Sequence, residues 1–199
     1  KRVSATPETV RKIISLGLEV MVEKGAGLGA QITDDLYNDA GATIFENQDE
    51  LKNADIIIKV QRPINELDKG ETECSNLKKN CILIGLLDPF SNLEQIQQYA
   101  ENNITAISLE LVPRITRAQS MDVLSSQSNL AGYKSVLEAA NEYGKAMPMM
   151  MTAAGTVAPA KVFVLGAGVA GLQAIATAKR LGAIVYATDV RPNVKEQVE

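Results

Sequence analysis

The sequence predicts an α/β fold made of two Rossmann-like domains with mainly parallel sheets, the second one truncated. Three observations carry that prediction. Short apolar strands alternate with amphipathic helices through the N-terminal region. A strand, glycine loop, helix and second strand follow one another from Lys161 onward. A chain of 199 residues, 46% hydrophobic and 22% charged, has the material for a buried core and is not of disordered composition.

The elements follow in order. Thr6-Pro7-Glu8 places an N-cap before a proline at the first helical position, and Val10, Ile13 and Ile14 continue a helix to about Leu16, where Gly17 stops it. Leu18 to Val22 is expected as a strand, and Thr33 caps a helix that ends near Gly41. Ile56 to Val60 is a short buried strand closed by Arg62-Pro63, and Cys81 to Leu87 is another, closed by Asp88-Pro89. Ser91 is expected to cap a helix through Leu93, Ile96 and Tyr99, after which Thr105 to Leu109 returns as a strand.

Leu111 to Ser128 breaks this alternation, being polar and carrying Pro113, Arg114, Arg117, Gln119 and Asp122. Taken by its residues it is a polar loop with a helix N-cap at Ser120. Leu130 to Gly144 has helical period through Val136, Leu137 and Ala140, and Pro148, Gly155 and Pro159 punctuate the stretch after it. The expected organisation is an α/β domain over 1–128, a connecting helix and linker over 129–160, and the first βαβ of a second domain over 161–199. Lys1 is not a methionine, no targeting signal precedes it, and Glu199 falls just after a second Rossmann strand, so we expect a longer parent protein.

The second domain carries the chemistry. Val162 to Leu165 is a strand, Gly166-Ala167-Gly168-Val169-Ala170-Gly171 follows, Leu172 to Leu181 is a helix, and Ile184 to Thr188 is a strand ending at Asp189. Gly166 permits the tight turn, Gly168 lets a pyrophosphate approach the backbone, and Gly171 lets helix and strand pack closely. The amides near Val169 and Ala170 sit at a helix N-terminus, where free N–H groups and the helix dipole favour an anion. Asp189, 18 residues after Gly171, can accept both hydroxyls of an adenosine ribose and would meet a 2′-phosphate with negative charge. That favours NAD(H) over NADP(H), although the neighbouring Arg191 could accommodate such a phosphate. Gly25-Ala26-Gly27-Leu28-Gly29 also follows a strand, but its spacing is wrong and no acid ends a following strand, so it reads as a loop.

Other function classes recede. A net charge of −4 argues against nucleic-acid binding. Cys74 and Cys81, with six residues between them in a chain with no histidine, fit neither a zinc site nor a redox CxxC, and no metal is expected. Val162 to Ala178 is 17 uncharged residues, near the lower limit for a membrane span, but it divides into a strand and a helix, so no membrane insertion is expected.

Several motifs together resemble the family that joins alanine dehydrogenase to proton-translocating nicotinamide nucleotide transhydrogenase. They are Arg2-Val3 with Ala5-Thr6-Pro7-Glu8, Glu23-Lys24-Gly25-Ala26-Gly27, Lys59-Val60-Gln61-Arg62-Pro63 and Thr188-Asp189-Val190-Arg191-Pro192. The run Pro113-Arg114-Ile115-Thr116-Arg117-Ala118-Gln119-Ser120-Met121-Asp122, continuing through Ser125 to Asn129, resembles the transhydrogenase form closely.

The resemblance implies an NAD(H)-binding domain I that passes hydride to NADP(H) on a partner domain III, coupled to proton movement through a membrane domain II. It implies a cytoplasmic location, peripheral to the inner membrane through those partners, and a homodimer. It assigns Arg114, Gln119, Asp122 and Ser125, with Ser120 and Met121, to the nicotinamide end. It adds Val190 and Arg191 to the glycines, Val169, Ala170 and Asp189 at the adenosine end. Direct ring-to-ring hydride transfer needs no protein acid or base, only a fixed and dry juxtaposition.

Two rivals remain. An alanine dehydrogenase would need a lysine and a histidine, where this sequence has Gln61 and Leu87, which leaves Lys59 a structural residue at a strand end. A non-catalytic NAD-binding module is the other.

Overall fold

The computed structural model describes residues 1–64 and 73–198, which fall into two compact units, Lys1–Ala118 and Gln119–Glu199.

The first unit contains two small parallel sheets. Helix α1 (Pro7–Ser15) starts as its sequence dictates, with the Thr6 hydroxyl accepting the Thr9 amide at 3.3 Å and proline at the first turn. It stops before Gly17, whose φ of +87° an L side chain resists. Strand β1 (Met21–Glu23) pairs in parallel with β2 (Thr43–Phe45), joined through helix α2 (Asp34–Asp39). Val10, Tyr37, Ala40 and Ala42 form the buried centre beneath them. The strand expected over Leu18 to Val22 is therefore shorter and displaced toward Glu23. Its partner β2 is three residues long, too short to show the alternation that marks a strand in sequence. Gly27 in the early glycine cluster has a packing reason, since a Cβ there would lie 2.5 Å from the Ile32 carbonyl oxygen.

The second sheet of this unit has the order β3 (Ile56–Gln61), β4 (Ile82–Leu86), β5 (Thr105–Ser108), parallel throughout, as the near-continuous apolar runs imply. Helix α3 (Leu93–Glu101) packs Tyr99 into a core with Ile57, Leu83 and Leu87. Its N-cap is Asn92, not the expected Ser91: the Ser91 hydroxyl is engaged by the Asp88 side chain at 3.0 Å within the Asp88-Pro89 turn. Buried Gln95 pins the end of β3 by donating to the Pro63 carbonyl at 2.7 Å and accepting from Arg62 at 3.1 Å. Lys59 pairs with Glu73, whose other oxygen accepts the Ile64 amide at 2.7 Å. Cys74 is a half-buried free thiol and Cys81 a buried one.

The second unit opens with α4 (Val123–Glu142), which begins inside the stretch expected to be irregular up to Ser128. Its serines and Asn129 are weak helix formers, and tertiary packing overrides them. The helix expected to belong to a 129–160 connector is thus packed within this unit. A hairpin of β6 (Met150–Thr152) and β7 (Gly155–Val157) occupies the expected linker. Strands β8 (Lys161–Leu165) and β9 (Ile184–Thr188) pair in parallel from Lys161↔Ile184 to Leu165↔Thr188, with α5 (Val169–Arg180) between them. Val162, Val164 and Val185 face Ala174 and Ala178 of α5 and Val136 of α4. A short helix α6 (Lys195–Val198) follows, anchored by the packing of Val194 on Ile175 and Ala167. No helix among the described residues is long and apolar enough to cross a membrane.

Candidate functional site

The glycine loop between β8 and α5 is built from three different constraints. Gly166 adopts φ +89° and donates its amide to the Thr188 carbonyl at 2.7 Å, which turns the chain out of the strand. Gly171 lies against that turn so closely that a Cβ would come within 1.8 Å of the Gly166 oxygen. Gly168, the N-cap of α5, is different: a Cβ there would meet only the Arg191 guanidinium at 3.9 Å, so the backbone is open to approach. The first helical hydrogen bond runs from the Leu172 amide to the Gly168 carbonyl, and the first-turn amides ahead of it, including Val169 and Ala170, lack intrahelical acceptors.

Asp189 stands at the end of β9, as the spacing predicts, and is bound to this loop. Its Oδ2 accepts the Ala167 amide at 2.8 Å, and its Oδ1 accepts the Arg191 amide at 2.8 Å. The Arg191 side chain adds Nε to Oδ1 at 3.0 Å and Nη2 to Oδ2 at 3.1 Å. The guanidinium, the Arg191 amide and the Ala167 amide, in that order, hold the carboxyl far below the usual carboxylate range. Asp189 is therefore an anion at every physiological pH. Between the two, Val190 is 98% exposed, an apolar side chain standing clear of the surface beside the acid.

A second cluster forms at the start of α4. The segment Thr116–Met121 is a 3-10 turn on which Gln119, Ser120 and Met121 are exposed. The N-cap of α4 is Asp122 and not Ser120 as expected, because the preceding turn carries the chain two residues further before the helix begins. Asp122 accepts the Ser125 amide on Oδ1 at 2.9 Å and the Ser125 hydroxyl on Oδ2 at 2.6 Å. This motif brings Asp122 and Ser125 together. Arg114 is exposed in the first unit.

Gly132, which sequence reasoning missed, links this cluster to the glycine loop. A Cβ on Gly132 would lie 2.0 Å from the Ala170 carbonyl oxygen, so α4 and α5 touch backbone to backbone at the first turn of α5. A glycine in mid-helix, Ala131-Gly132-Tyr133, was the available signal, because it gives up roughly 1 kcal/mol of helix propensity for no local reason. Asp122 lies ten residues from Gly132 along the helix, about 15 Å at 1.5 Å per residue. The contribution of the Ala167 amide had no sequence signal, since backbone groups carry none.

Residues 1–131 match the N-terminal domain of the alanine dehydrogenase/PNT family, and residues 135–199 match its C-terminal domain. The chain is 55% identical over 199 residues to an NAD(P) transhydrogenase subunit alpha polypeptide of Rhodospirillum rubrum, covering 100% of this chain and 52% of that protein. It is 31% identical over 201 residues to alanine dehydrogenase of Staphylococcus saprophyticus, again with 100% of this chain and 52% of the relative covered. The crystal structure of transhydrogenase from Sinorhizobium meliloti superposes with a TM-score of 0.93 at 56% identity, over 99% of this chain and 57% of that one. The chain thus spans about half the length of these relatives.

Proposed function

From a chain that belongs to the alanine dehydrogenase/PNT family, we propose the NAD(H)-binding component of a proton-translocating NAD(P)⁺ transhydrogenase. The observation that carries this reading within the family is at Leu87. Alanine oxidation needs a histidine as acid/base at that matching place, and here the position holds a leucine 1% exposed, in a chain without histidine. Gln61 replaces the matching lysine at the end of β3.

Bound NADH supplies the hydride, so the chain's own task is to bind, orient and exclude water. The open backbone at Gly168 and the amides of Val169 and Ala170 take the pyrophosphate at the N-terminus of α5. The Asp189 carboxylate accepts the adenosine ribose hydroxyls and repels a 2′-phosphate, which favours NAD(H) over NADP(H). Exposed Val190 offers the adenine an apolar platform. At the nicotinamide end, Asp122 and Ser125 hold the carboxamide and thereby fix the rotation of the ring. Gln119 faces the partner's NADP(H), with Ser120 and Met121 beside it, and Arg114 is assigned here by family resemblance alone. The partners are an NADP(H)-binding domain III and a membrane domain II, with this component peripheral at the cytoplasmic face. Exposed Met150, Met151 and Val157 on the β6–β7 hairpin favour a homodimer, and sedimentation of the full-length protein as a monomer would refute it.

The test mixes the full-length NAD(H)-binding protein with purified NADP-binding domain and follows hydride transfer from NADH to thio-NADP⁺ by absorbance. Rapid transfer that collapses in Gln119→Asn and Asp122→Asn is the expected result. Absence of transfer together with NAD-dependent oxidation of alanine would overturn the reading in favour of a dehydrogenase. Tight NADH binding with neither activity would leave a binding module.

A further inference from the structure

We propose that Arg191 is an internal competitor for the ribose-binding face of Asp189, and that its release sets how tightly the adenosine end is held. The inference rests on the reading of Asp189 as the ribose acid. A carboxylate offers about four lone-pair directions on its two oxygens. In this structure four donors take them: the amides of Ala167 and Arg191, and Nε and Nη2 of the Arg191 side chain. A ribose diol brings two more donors, so two of the four must leave.

The two amides are the ones that stay. Ala167 belongs to the glycine loop and is buried, and the Arg191 amide is fixed by the chain two residues beyond the acid it binds. Losing either would move the strand end away from the loop. The guanidinium is the free party: the Arg191 side chain is 57% exposed, whereas that of Asp189 is 10% exposed. The cation is therefore what covers the acid, and it is the one donor pair that can turn into water without moving the backbone. Its Nη2 also lies 3.9 Å from where a Gly168 Cβ would stand, over the stretch of backbone that is otherwise open. One side chain thus occupies the ribose acid and leans over the phosphate loop, and both contacts end when the nucleotide enters.

The competition makes a prediction opposite to that of a nucleotide-binding arginine. NADH binding is measured by fluorescence titration of the full-length protein, in wild type, Arg191→Met, Asp189→Asn and the double variant. Arg191→Met should tighten NADH roughly fivefold, the scale of an exposed ion pair, and Arg191→Gln should move it in the same direction. In the Asp189→Asn background the same Arg191→Met change should give no tightening, because the anion competed for is gone. Weaker NADH binding in Arg191→Met would mean that the guanidinium touches the nucleotide, and would overturn the inference while leaving the proposed function intact. Equal tightening in both backgrounds would reduce Arg191 to a steric obstacle and overturn it as well. A wild-type protein that binds no NADH at all would overturn both readings together.

Discussion

Gly132 of α4 and Ala170 of α5 meet backbone to backbone, with a hypothetical Cβ on Gly132 only 2.0 Å from the Ala170 oxygen. A side chain added at Gly132 must push α4 away or shift the first turn of α5, where the free amides of the glycine loop lie. Gly132→Ala gains roughly 1 kcal/mol of helix propensity but overpacks a backbone contact, which typically costs about 1–3 kcal/mol or more. Because the clash is with backbone, we expect the upper end of that cost to apply and the net loss to be about 2 kcal/mol or more in urea denaturation, together with weaker NADH binding. An alanine variant as stable as wild type would show that the two helices can separate freely.

The glycines of the loop should respond differently from one another. At Gly168 an added methyl group meets nothing closer than 3.9 Å, so Gly168→Ala should lose only what alanine costs at an N-cap, about 1 kcal/mol or less. It nevertheless places a Cβ where the pyrophosphate must approach, and NADH affinity should fall about tenfold or more. Gly171→Ala would drive its Cβ to 1.8 Å from the Gly166 oxygen, so it should lose stability as well as binding. Thermal melts and NADH titrations on the same two variants separate these outcomes. Equal loss of stability in both would contradict the assignment of separate duties.

The local geometry of those glycines was legible in the sequence because spacing alone encodes it: strand, turn, open backbone, packed helix and terminal acid occur in a fixed order. Strands β3 and β4 were legible for a similar reason, as both are largely apolar runs closed by proline turns. The start of α4 was not. Val123-Leu124-Ser125-Ser126-Gln127-Ser128 is serine-rich with weak intrinsic helicity, and it is helical with the Asp122 cap at its start and Gly132 packed on α5 further along. Ser91 failed as a cap because its hydroxyl is engaged by the Asp88 side chain, and Ser120 because the 3-10 turn runs on to Met121 before the helix begins at the Asp122 cap. The engagement of Asp189 by Arg191 was invisible for another reason. Sequence places the arginine two residues away but does not say where its side chain lies.

The cap of α4 allows structure and function to be told apart. Asparagine caps helices about as well as aspartate, so Asp122→Asn should keep the fold within about 0.5 kcal/mol. Asp122→Ala should lose about 1 kcal/mol. Ser125→Ala leaves the cap amide bond in place and removes only the 2.6 Å hydroxyl contact, for a loss of about 1 kcal/mol. Chemical denaturation ranks the three. If Asp122→Asn destabilised the protein as much as alanine, its expected effect on hydride transfer would have a structural origin instead.

Glu110 gives the first unit a pH dependence whose sign can be worked out. Burial pushes its carboxyl upward, but the donors around it, the Asp88 and Leu87 amides among them, outweigh it, and the net shift is downward from 4.5. A carboxylate depressed on folding contributes stability that is fully present above its unfolded value and is lost as pH falls through the folded one. The bonds concerned tie the ends of β4 and β5 together, with Oε1 and Oε2 accepting the Asp88 and Leu87 amides. Glu110→Gln removes the titration while keeping a side chain of the same size. The variant should be less stable than wild type at neutral pH, and the difference should shrink as pH is lowered through about 4.5 toward 3. Urea midpoints measured across that range decide the matter. A difference that stayed constant, or grew, as the pH fell would mean that Glu110 stabilises the strand ends by its shape rather than by its charge.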